Sequence, residues 1–261
     1  MDEHVICTFP LVDQHMAIRM DLDFAAPRPG RVMVVESGRR LRREQSYGFV
    51  HALWWVWLED GRSAVSVPPG AGKVVGKILE DVRGSEPLSD SDIAEQLKGP
   101  VNNALRKAGL KETNRVLRSL GFACNAALLR RHHHGDCQRL VDESIPPAEG
   151  LRLPTHCFPD GIVYGVVADD TVVSVAFAHR SGVMEDRIAH LGIDTASAYR
   201  RRGYAKTVVS AVVEHITRTG GEARYGCNPE NRASIATARS VGFVPYGTSL
   251  VLSAPAADLE S

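Results

Sequence analysis

The sequence lacks an excess of charge, a paired set of cysteines and a long apolar run. Lys plus Arg and Asp plus Glu each number 31, so the overall charge does not attract the chain to nucleic acid. The cysteines are scattered, odd in number and without the spacing of a metal or redox pair: Cys7, Cys124, Cys137, Cys157 and Cys227. This usage favours a reducing compartment, and we expect a cytoplasmic protein.

Apolar segments are too short for a membrane span. The longest mostly apolar run, Phe49–Leu58, is about half of what a bilayer requires. The N-terminus carries Asp2 and Glu3 and has no signal-peptide apolar core, so we expect neither secretion nor membrane insertion. With 261 residues, the chain is long enough for one large domain or two small ones.

The most informative segment is Asp194–Lys206, a basic loop that contains Gly203 and lies between a predicted strand and a predicted helix. The apolar run Ile188–Ile193 predicts a buried strand before it. Behind it, apolar residues recur at helical spacing until two glycines end the pattern: Ala205, Val208, Val209, Val212, Ile216, Gly220 and Gly221.

A loop of this kind predicts an anion site. Unpaired N–H groups and the positive end of the helix dipole point at whatever lies there. Gly203 allows a phosphate to approach the backbone, and guanidinium groups bind phosphate in bidentate fashion. The arginines that add charge are Arg200, Arg201 and Arg202. The alternative is a solvated run of arginines at a helix end.

The residues that follow predict a strand, a helix and a last strand. Glu222–Cys227 forms the first, and Asn228 with Pro229 is a suitable start for the helix. We expect that helix to end at Gly242, before a strand at Ser249–Leu252. Upstream, two apolar strands are predicted at Gly161–Val167 and Val172–Phe177, on either side of a turn with two aspartates, Ala168–Asp170. A short helix is expected to end near residue 147, before these strands.

The loop resembles the acyl-CoA pyrophosphate loop of the GNAT N-acetyltransferase superfamily. That loop is usually written R/Q-x-x-G-x-G/A, and here it reads Arg200-x-x-Gly203-x-Ala205. Thr195 precedes Arg200 by five residues, as in a common variant of the family pattern.

Further along the chain, Asn231-x-x-Ser234, followed by Gly242-Phe243, resembles the second signature of the same superfamily. The resemblance covers about residues 138–254. It implies an α/β (α+β) fold: a mixed, mostly antiparallel sheet with flanking helices, in the order β-β-β-α-β-α-β.

The resemblance also implies a cosubstrate, acetyl-CoA. The loop would cradle the pyrophosphate, the end of the preceding strand would pair with pantetheine, and the second signature would lie on the opposite wall. The residues implied in cofactor binding are Ile193, Asp194, Thr195, Arg200, Arg201, Arg202, Gly203, Tyr204, Ala205, Lys206, Asn231 and Ser234. For Asn231 and Ser234, the alternative is ordinary polar residues at the start of a helix.

Catalytic residues are less well defined. His190 lies near the place where many GNAT members have a glutamate base; Asp194, Glu185 and a chain of waters are alternatives. Many members have a Tyr that acts as the general acid seven residues after the Asn that corresponds to Asn231, and here that position is Ala238. The substitutes for the acid are Tyr246, which we predict, with Tyr225 and Cys227 as alternatives.

The resulting hypothesis is an acetyl-CoA-dependent N-acetyltransferase that moves an acetyl group to a primary amine of a small molecule or protein by direct attack in a ternary complex. The alternative is a catalytically weak CoA-binding regulatory protein. We expect no nucleic-acid or membrane partner and no metal. GNAT proteins are often homodimers, but the sequence leaves the oligomeric state open.

The N-terminal half predicts a smaller α/β domain over residues 1–130, before a GNAT domain over 131–261. Some two-domain members of the superfamily carry a degenerate N-terminal copy, and we suspect one here. The predicted elements are a strand at Arg31–Val35, a hairpin of Gly48–Leu58 and Ser63–Val67, a helix at Lys73–Val82, and a helical region at Asp92–Gly121 interrupted at Gly99-Pro100 and Gly109. The first hairpin strand holds Trp54, Trp55 and Trp57, predicted as core or as a wall of the interdomain surface, with substrate stacking as the alternative.

Two further motifs are judged not to be sites. Pro69–Lys73 suggests a phosphate loop, but Val67 and Val74 stand where a P-loop needs Gly and Ser or Thr. His132–His134 has side chains that bind metals, but adjacent loop residues rarely converge on one ion. We predict a solvated linker there.

Overall fold

The computed structural model describes residues 8–22, 27–44, 48–83, 90–158, 161–179, 184 and 187–255. These residues form a mixed α/β structure with mostly antiparallel strand pairing, which confirms the predicted fold class. No helix among them is both long enough and apolar enough to span a bilayer. The elements are α1 (Pro10–Met20), β1 (Val32–Glu36), β2 (Phe49–Leu58), β3 (Ser63–Val67), α2 (Gly72–Arg83), α3 (Asp90–Lys107), β4 (Arg115–Cys124), β5 (Asp136–Arg139), β6 (Ile162–Ala168), β7 (Thr171–His179), β8 (Ile188–Thr195), α4 (Tyr204–Arg218), β9 (Glu222–Cys227), α5 (Arg232–Val241) and β10 (Val244–Pro255).

The chain divides into two compact units. Unit 1 comprises Met1–His15 and Gly121–Pro245, and unit 2 comprises Met16–Leu120 and Tyr246–Ser261. Three elements, α1, β4 and β10, therefore contribute residues to both units. The predicted domain boundary after residue 130 remains a prediction.

In unit 1 the strand order is β4-β9-β8-β7-β6-β5. The three pairings from β5 to β8 are antiparallel, and β8 pairs with β9 in parallel. Helix α4 packs on β6, β7 and β8. Its buried face consists of residues at the spacing that the sequence shows: Val208, Val209, Val212, Val213 and Ile216.

In unit 2 the strand order is β1-β3-β2-β10-β4, and β1 pairs with β3 in parallel. The predicted hairpin of β2 and β3 is confirmed. Helices α2 and α3 cover one face, where their apolar side chains join those of the strands in a single core. Trp55 and Trp57 pack against that core, as the sequence predicts.

The last part of the predicted helical region Asp92–Gly121 is wrong, because Arg115–Cys124 is the strand β4. A strand takes its hydrogen bonds from neighbours distant in sequence, which local spacing does not reveal. The predicted break at Gly99-Pro100 is also wrong, since α3 runs through Pro100. Leu97 and Val101 are fully buried on either side of it, so core packing outweighs the proline's cost of about 3 kcal/mol.

Two smaller predictions in the C-terminal half are also wrong. No helix ends near residue 147; instead, Asp136–Arg139 forms the edge strand β5. Helix α5 begins at Arg232 rather than at Pro229. Asn228 accepts the Glu230 N–H in a turn, which leaves Asn231 as the N-cap of the helix.

A buried polar cluster lies on β2 in unit 2. Arg40 is 1% exposed, and its guanidinium donates to the carbonyls of Arg19 and His51 and lies over the Trp54 ring. The His51 ring nitrogen Nδ1 is 2.9 Å from Ser253 Oγ. Burial lowers the pKa of His51 from 6.5 to about 4; Glu44 opposes this shift and nearby arginines add to it.

This shift predicts acid sensitivity. His51 binds a proton more readily when unfolded, so its contribution is complete above pH 6.5 and is lost as the pH falls toward about 4. We expect the free energy of unfolding to fall by up to about 3 kcal/mol over that range through this group alone. Urea unfolding of the wild type and His51→Asn measures it, with exposed His133→Asn as the matched control. Equal pH slopes for wild type and His51→Asn would contradict the assignment.

Candidate functional site

A cavity of about 460 Å³ opens in unit 1 where β8 and β9 part. The two strands pair only from Ile188 to His190 and from Glu222 to Arg224, although β8 continues to Thr195 and β9 to Cys227. Beyond the paired residues, the edges of both strands border the cavity. The predicted cofactor residues that line it are Ile193, Asp194, Thr195, Arg200, Arg201, Gly203, Tyr204, Ala205, Lys206, Asn231 and Ser234.

The loop before α4 presents a row of unused backbone donors. Arg201 and Gly203 both have positive φ, at 62° and 85°, which turns successive N–H groups to one side. Gly203 is the N-cap residue and provides no side-chain cap. Among the described residues, no acceptor contacts the backbone N–H groups of residues 201–205. The loop is therefore ready for an anion that supplies several oxygen atoms.

Glycine is required at position 203 for two reasons. Its φ of 85° disfavours a side chain, and an added Cβ would lie 2.7 Å from Cδ2 of His134. The imidazole of His134 therefore lies against Gly203, and His134 is not among the residues that line the cavity. Gly220 also has positive φ, at 76°, but nothing lies within 4 Å of the place of its Cβ.

The three arginines of the loop have different environments. The Nε of Arg200 donates to the Thr195 carbonyl, which ties the loop to the end of β8. Arg202 does not line the cavity; its guanidinium donates to the Ala198 carbonyl and lies over the Tyr199 ring. Arg201 lines the cavity and has no partner among the described residues. Arg201 therefore offers its whole guanidinium to a ligand, whereas Arg200 uses its Nε within the loop.

The β8 wall carries a carboxylate. Asp194 is half-buried, and its Oδ1 accepts the N–H of Thr195 at 2.8 Å. The Thr195 hydroxyl is 2.8 Å from Ser174 Oγ on β7. The contact between Asp194 and Thr195 occupies a backbone donor on the part of β8 that lines the cavity.

The opposite wall is built from β9 and the start of α5. The Asn231 side chain accepts the Ser234 N–H, which explains why the sequence has both residues at this spacing. The hydroxyl of Tyr225 on β9 lies 2.8 Å from Ser234 Oγ, and Tyr225 lines the cavity. Burial raises the pKa of Tyr225, so this phenol is neutral and able to donate a proton at neutral pH.

The two residues first predicted as catalytic are not in the cavity lining. His190 is exposed on β8, in the last residue pair with β9. Tyr246 belongs to unit 2, where its carbonyl accepts the Glu59 N–H. Ala238, at the usual position of the acid, is fully buried in α5. Glu185 lies outside the described residues.

Unit 2 also has a strand followed by a loop and a helix, but the backbone N–H at the start of that helix already has an acceptor within the chain. β3 leads through Pro68–Ala71 into α2, as β8 leads into α4. There, Glu36 Oε1 accepts the Gly72 N–H at 2.8 Å, and an added Cβ on Gly72 would lie 2.8 Å from the Glu36 side chain. A carboxylate of the chain itself thus lies at the start of α2.

The segment that the sequence predicts to be a solvated linker is mostly exposed and has no regular secondary structure, in agreement with that prediction, but His132 and His134 also anchor it to two helices. The His132 Nε2 donates to the Ser240 carbonyl, and the His134 N–H donates to Thr207 Oγ1. Both contacts are with helices distant in sequence, so local spacing could not predict them. Among the described residues, no cluster of side chains could hold a metal ion.

The cavity, with its row of backbone donors and parted strands, is suited to an anion that supplies several oxygen atoms. Residues 132–244 match the family model for an acetyltransferase (GNAT) domain. This region of the chain is therefore a GNAT domain, which confirms the resemblance in the C-terminal half. The match supports acyl transfer as its general chemistry.

Solved structures with a similar fold include a GNAT-family protein of Novosphingobium aromaticivorans DSM 12444, at 18% identity and a TM-score of 0.46, which covers 56% of this chain and 68% of that one. A GCN5-related N-acetyltransferase of Kribbella flavida has 16% identity and a TM-score of 0.42, with 56% and 61% covered. A GNAT-family acetyltransferase of Colwellia psychrerythraea has 15% identity and a TM-score of 0.41, with 54% and 58% covered. The chain spans less than two thirds of the length of the last two proteins. No curated protein matches the sequence significantly.

The close approach of the His134 ring to Gly203 predicts the effect of Gly203→Ala on stability. The methyl group meets both the positive φ and the His134 ring, so we expect the free energy of unfolding to fall by about 2–3 kcal/mol. Gly220→Ala, with the φ penalty alone, is the matched control and should cost about 1 kcal/mol. Urea unfolding measures both. Adding His134→Ala should restore part of the loss in Gly203→Ala; a purely additive double variant would contradict the contact.

Proposed function

We propose that the chain is an acetyl-CoA-dependent N-acetyltransferase acting on a primary amine of a small molecule or peptide. The observation that carries this is the row of five unused N–H groups, residues 201–205, at a cavity between parted strands. Pyrophosphate supplies oxygen atoms for several such donors at once. Arg201 adds a guanidinium, and the predicted role of the remaining cofactor residues, Arg202 included, stays part of this proposal.

The cavity supports the rest of the cofactor assignment. Its volume of about 460 Å³ is within the usual range for a site that buries a small-molecule ligand. The unpaired edge of β8 at Ile193–Thr195 offers backbone groups to the amides of pantetheine. Pairing there requires that Asp194 release the Thr195 N–H.

The reaction forms a C–N bond and breaks the C–S bond of the thioester. A lysine-type amine has a pKa of about 10.4, so it must lose a proton before it attacks. We propose His190 for this step, with Asp194 as the alternative because its carboxylate lines the cavity. The departing thiolate takes a proton from a tyrosine.

Tyr225 is the better supported acid. Its hydroxyl lies in the cavity wall, and the Ser234 hydroxyl holds it in place. Tyr246, predicted from the sequence, stays an alternative. Ala238 removes the residue that many GNAT members use, which keeps a CoA-binding regulatory protein as the second candidate function.

We further infer one cofactor per chain. In unit 2 the corresponding helix start already has the Glu36 carboxylate as its anion, and a second anion there would be repelled. We also propose a cytoplasmic location, as expected for a protein that uses acetyl-CoA and has scattered cysteines. The oligomeric state is left open.

Calorimetry with acetyl-CoA tests the cofactor assignment. We expect one site per chain in the wild type, and loss of binding in Gly203→Glu, which places bulk and negative charge in the loop. Glu36→Gln is the control for unit 2 and should leave the loop's affinity unchanged. Absence of binding by the wild type would refute the proposed function, and two equal sites would refute the closed site in unit 2.

Thiol release with a panel of amines tests the catalytic roles. We expect Tyr225→Phe to lower kcat about 10- to 100-fold without changing acetyl-CoA affinity, because only proton donation is lost. Tyr164→Phe, whose hydroxyl contacts His215, is the matched control and should be unchanged. A larger loss in Tyr246→Phe would move the acid role there, and unchanged turnover in His190→Ala would exclude His190 as the base. Acetyl-CoA binding without release on any amine favours the regulatory protein.

A further inference from the structure

Residues 130–134, here called the histidine strap, run between the two helices that carry the cavity walls. The segment has no regular secondary structure, yet its contacts with both helices are ordered hydrogen bonds. We propose that His134 is a positioning residue for the phosphate loop and that the strap holds that loop in its binding geometry. This rests on the proposed function.

The loop geometry has to be held in place. Arg201 is not a glycine, yet it adopts the left-handed conformation with φ of 62°. This conformation is unfavourable for a residue with a side chain, and among the described residues the five N–H groups have no acceptor that would offset it. Without support from behind, the loop would relax to conformations in which the donors no longer point to one side.

His134 supplies that support at two points. Its ring lies against Gly203, close enough that a single methyl group would overlap it. Its main-chain N–H donates to Thr207 Oγ1 at 2.9 Å, in the first turn of α4. The ring therefore fixes the N-cap residue, and the backbone fixes the turn that follows.

The other end of the strap is fixed to α5. The Arg130 N–H donates to the Val241 carbonyl, and His132 Nε2 donates to the Ser240 carbonyl. The His132 backbone also contacts Ser210 Oγ on α4, through both its N–H and its carbonyl. Since α5 carries Asn231 and Ser234, the strap joins the phosphate loop to the opposite wall of the cavity.

A residue that acts in this way affects affinity rather than chemistry. His134 is not among the cavity-lining residues, so it acts through Gly203 and not on the ligand. Preorganised donors bind tightly because ordering them costs nothing at the moment of binding. Loss of the ring should therefore raise the Kd and KM for acetyl-CoA while kcat at saturation stays the same.

The test compares adjacent histidines of the same type. His134→Ala removes the supporting ring, and His133→Ala removes an exposed ring without a partner among the described residues. We expect the Kd for acetyl-CoA, measured by calorimetry on the full chain, to rise about tenfold in His134→Ala and not at all in His133→Ala. His134→Phe keeps a flat ring and should remain within about threefold of wild type.

A second pair of variants examines the backbone contact. Thr207→Val removes the acceptor at nearly constant shape and should weaken binding, whereas Thr207→Ser keeps the hydroxyl and should not. Far-UV circular dichroism verifies that each variant is folded. If the wild type binds acetyl-CoA and His134→Ala binds equally well, or if kcat falls with unchanged KM, the positioning role is wrong. If the wild type does not bind at all, the proposed function has failed instead.

Discussion

The parting of β8 from β9 is the feature on which the site depends. The two strands share only three paired residues, and each then continues without the other. A parallel pair that separates leaves two backbone edges with unused hydrogen-bonding groups, and such groups are costly to bury without partners. The gap between these edges is the cavity, and the loop from β8 to α4 closes one end of it with five further donors. Strand geometry and loop geometry therefore present their unused groups to the same space.

Both units contain a strand that leads through a glycine-containing loop into a helix, yet only one of these loops is available to a ligand. At α2, Glu36 provides the negative charge that the helix start attracts, and it contacts the backbone so closely that Gly72 has no room for a side chain. At α4 no carboxylate of the described residues accepts from the N–H groups of the loop, and the ring that lies against Gly203 is that of His134, which does not line the cavity. A single acidic side chain thus separates a closed helix start from an open one, which a comparison of loop sequences alone would not show.

The sequence predicted the central part of the site because its signals are local. The spacing Arg200-x-x-Gly203-x-Ala205 and the pair Asn231 and Ser234 depend on turns within a few residues, and these residues line the cavity except for Arg202. The proposed acid was harder to predict, since Tyr225 had no expected spacing and its position in the cavity wall follows from the sheet. Helix α5 was placed too early because Asn228 and Asn231 are both suitable caps, and only the turn at Asn228 decides between them.

By itself the sequence determined the order of strands and helices around the anion loop, since apolar spacing and glycine positions report on local backbone geometry. Tertiary structure decided what depends on partners far along the chain. Residues 115–121 form a strand because neighbouring strands supply their hydrogen bonds, and α3 passes Pro100 because the core on both sides of it is buried. The histidines at 132–134 gained their contacts for the same reason: Thr207, Ser210 and Ser240 lie over 70 residues away, and only the folded chain brings them together.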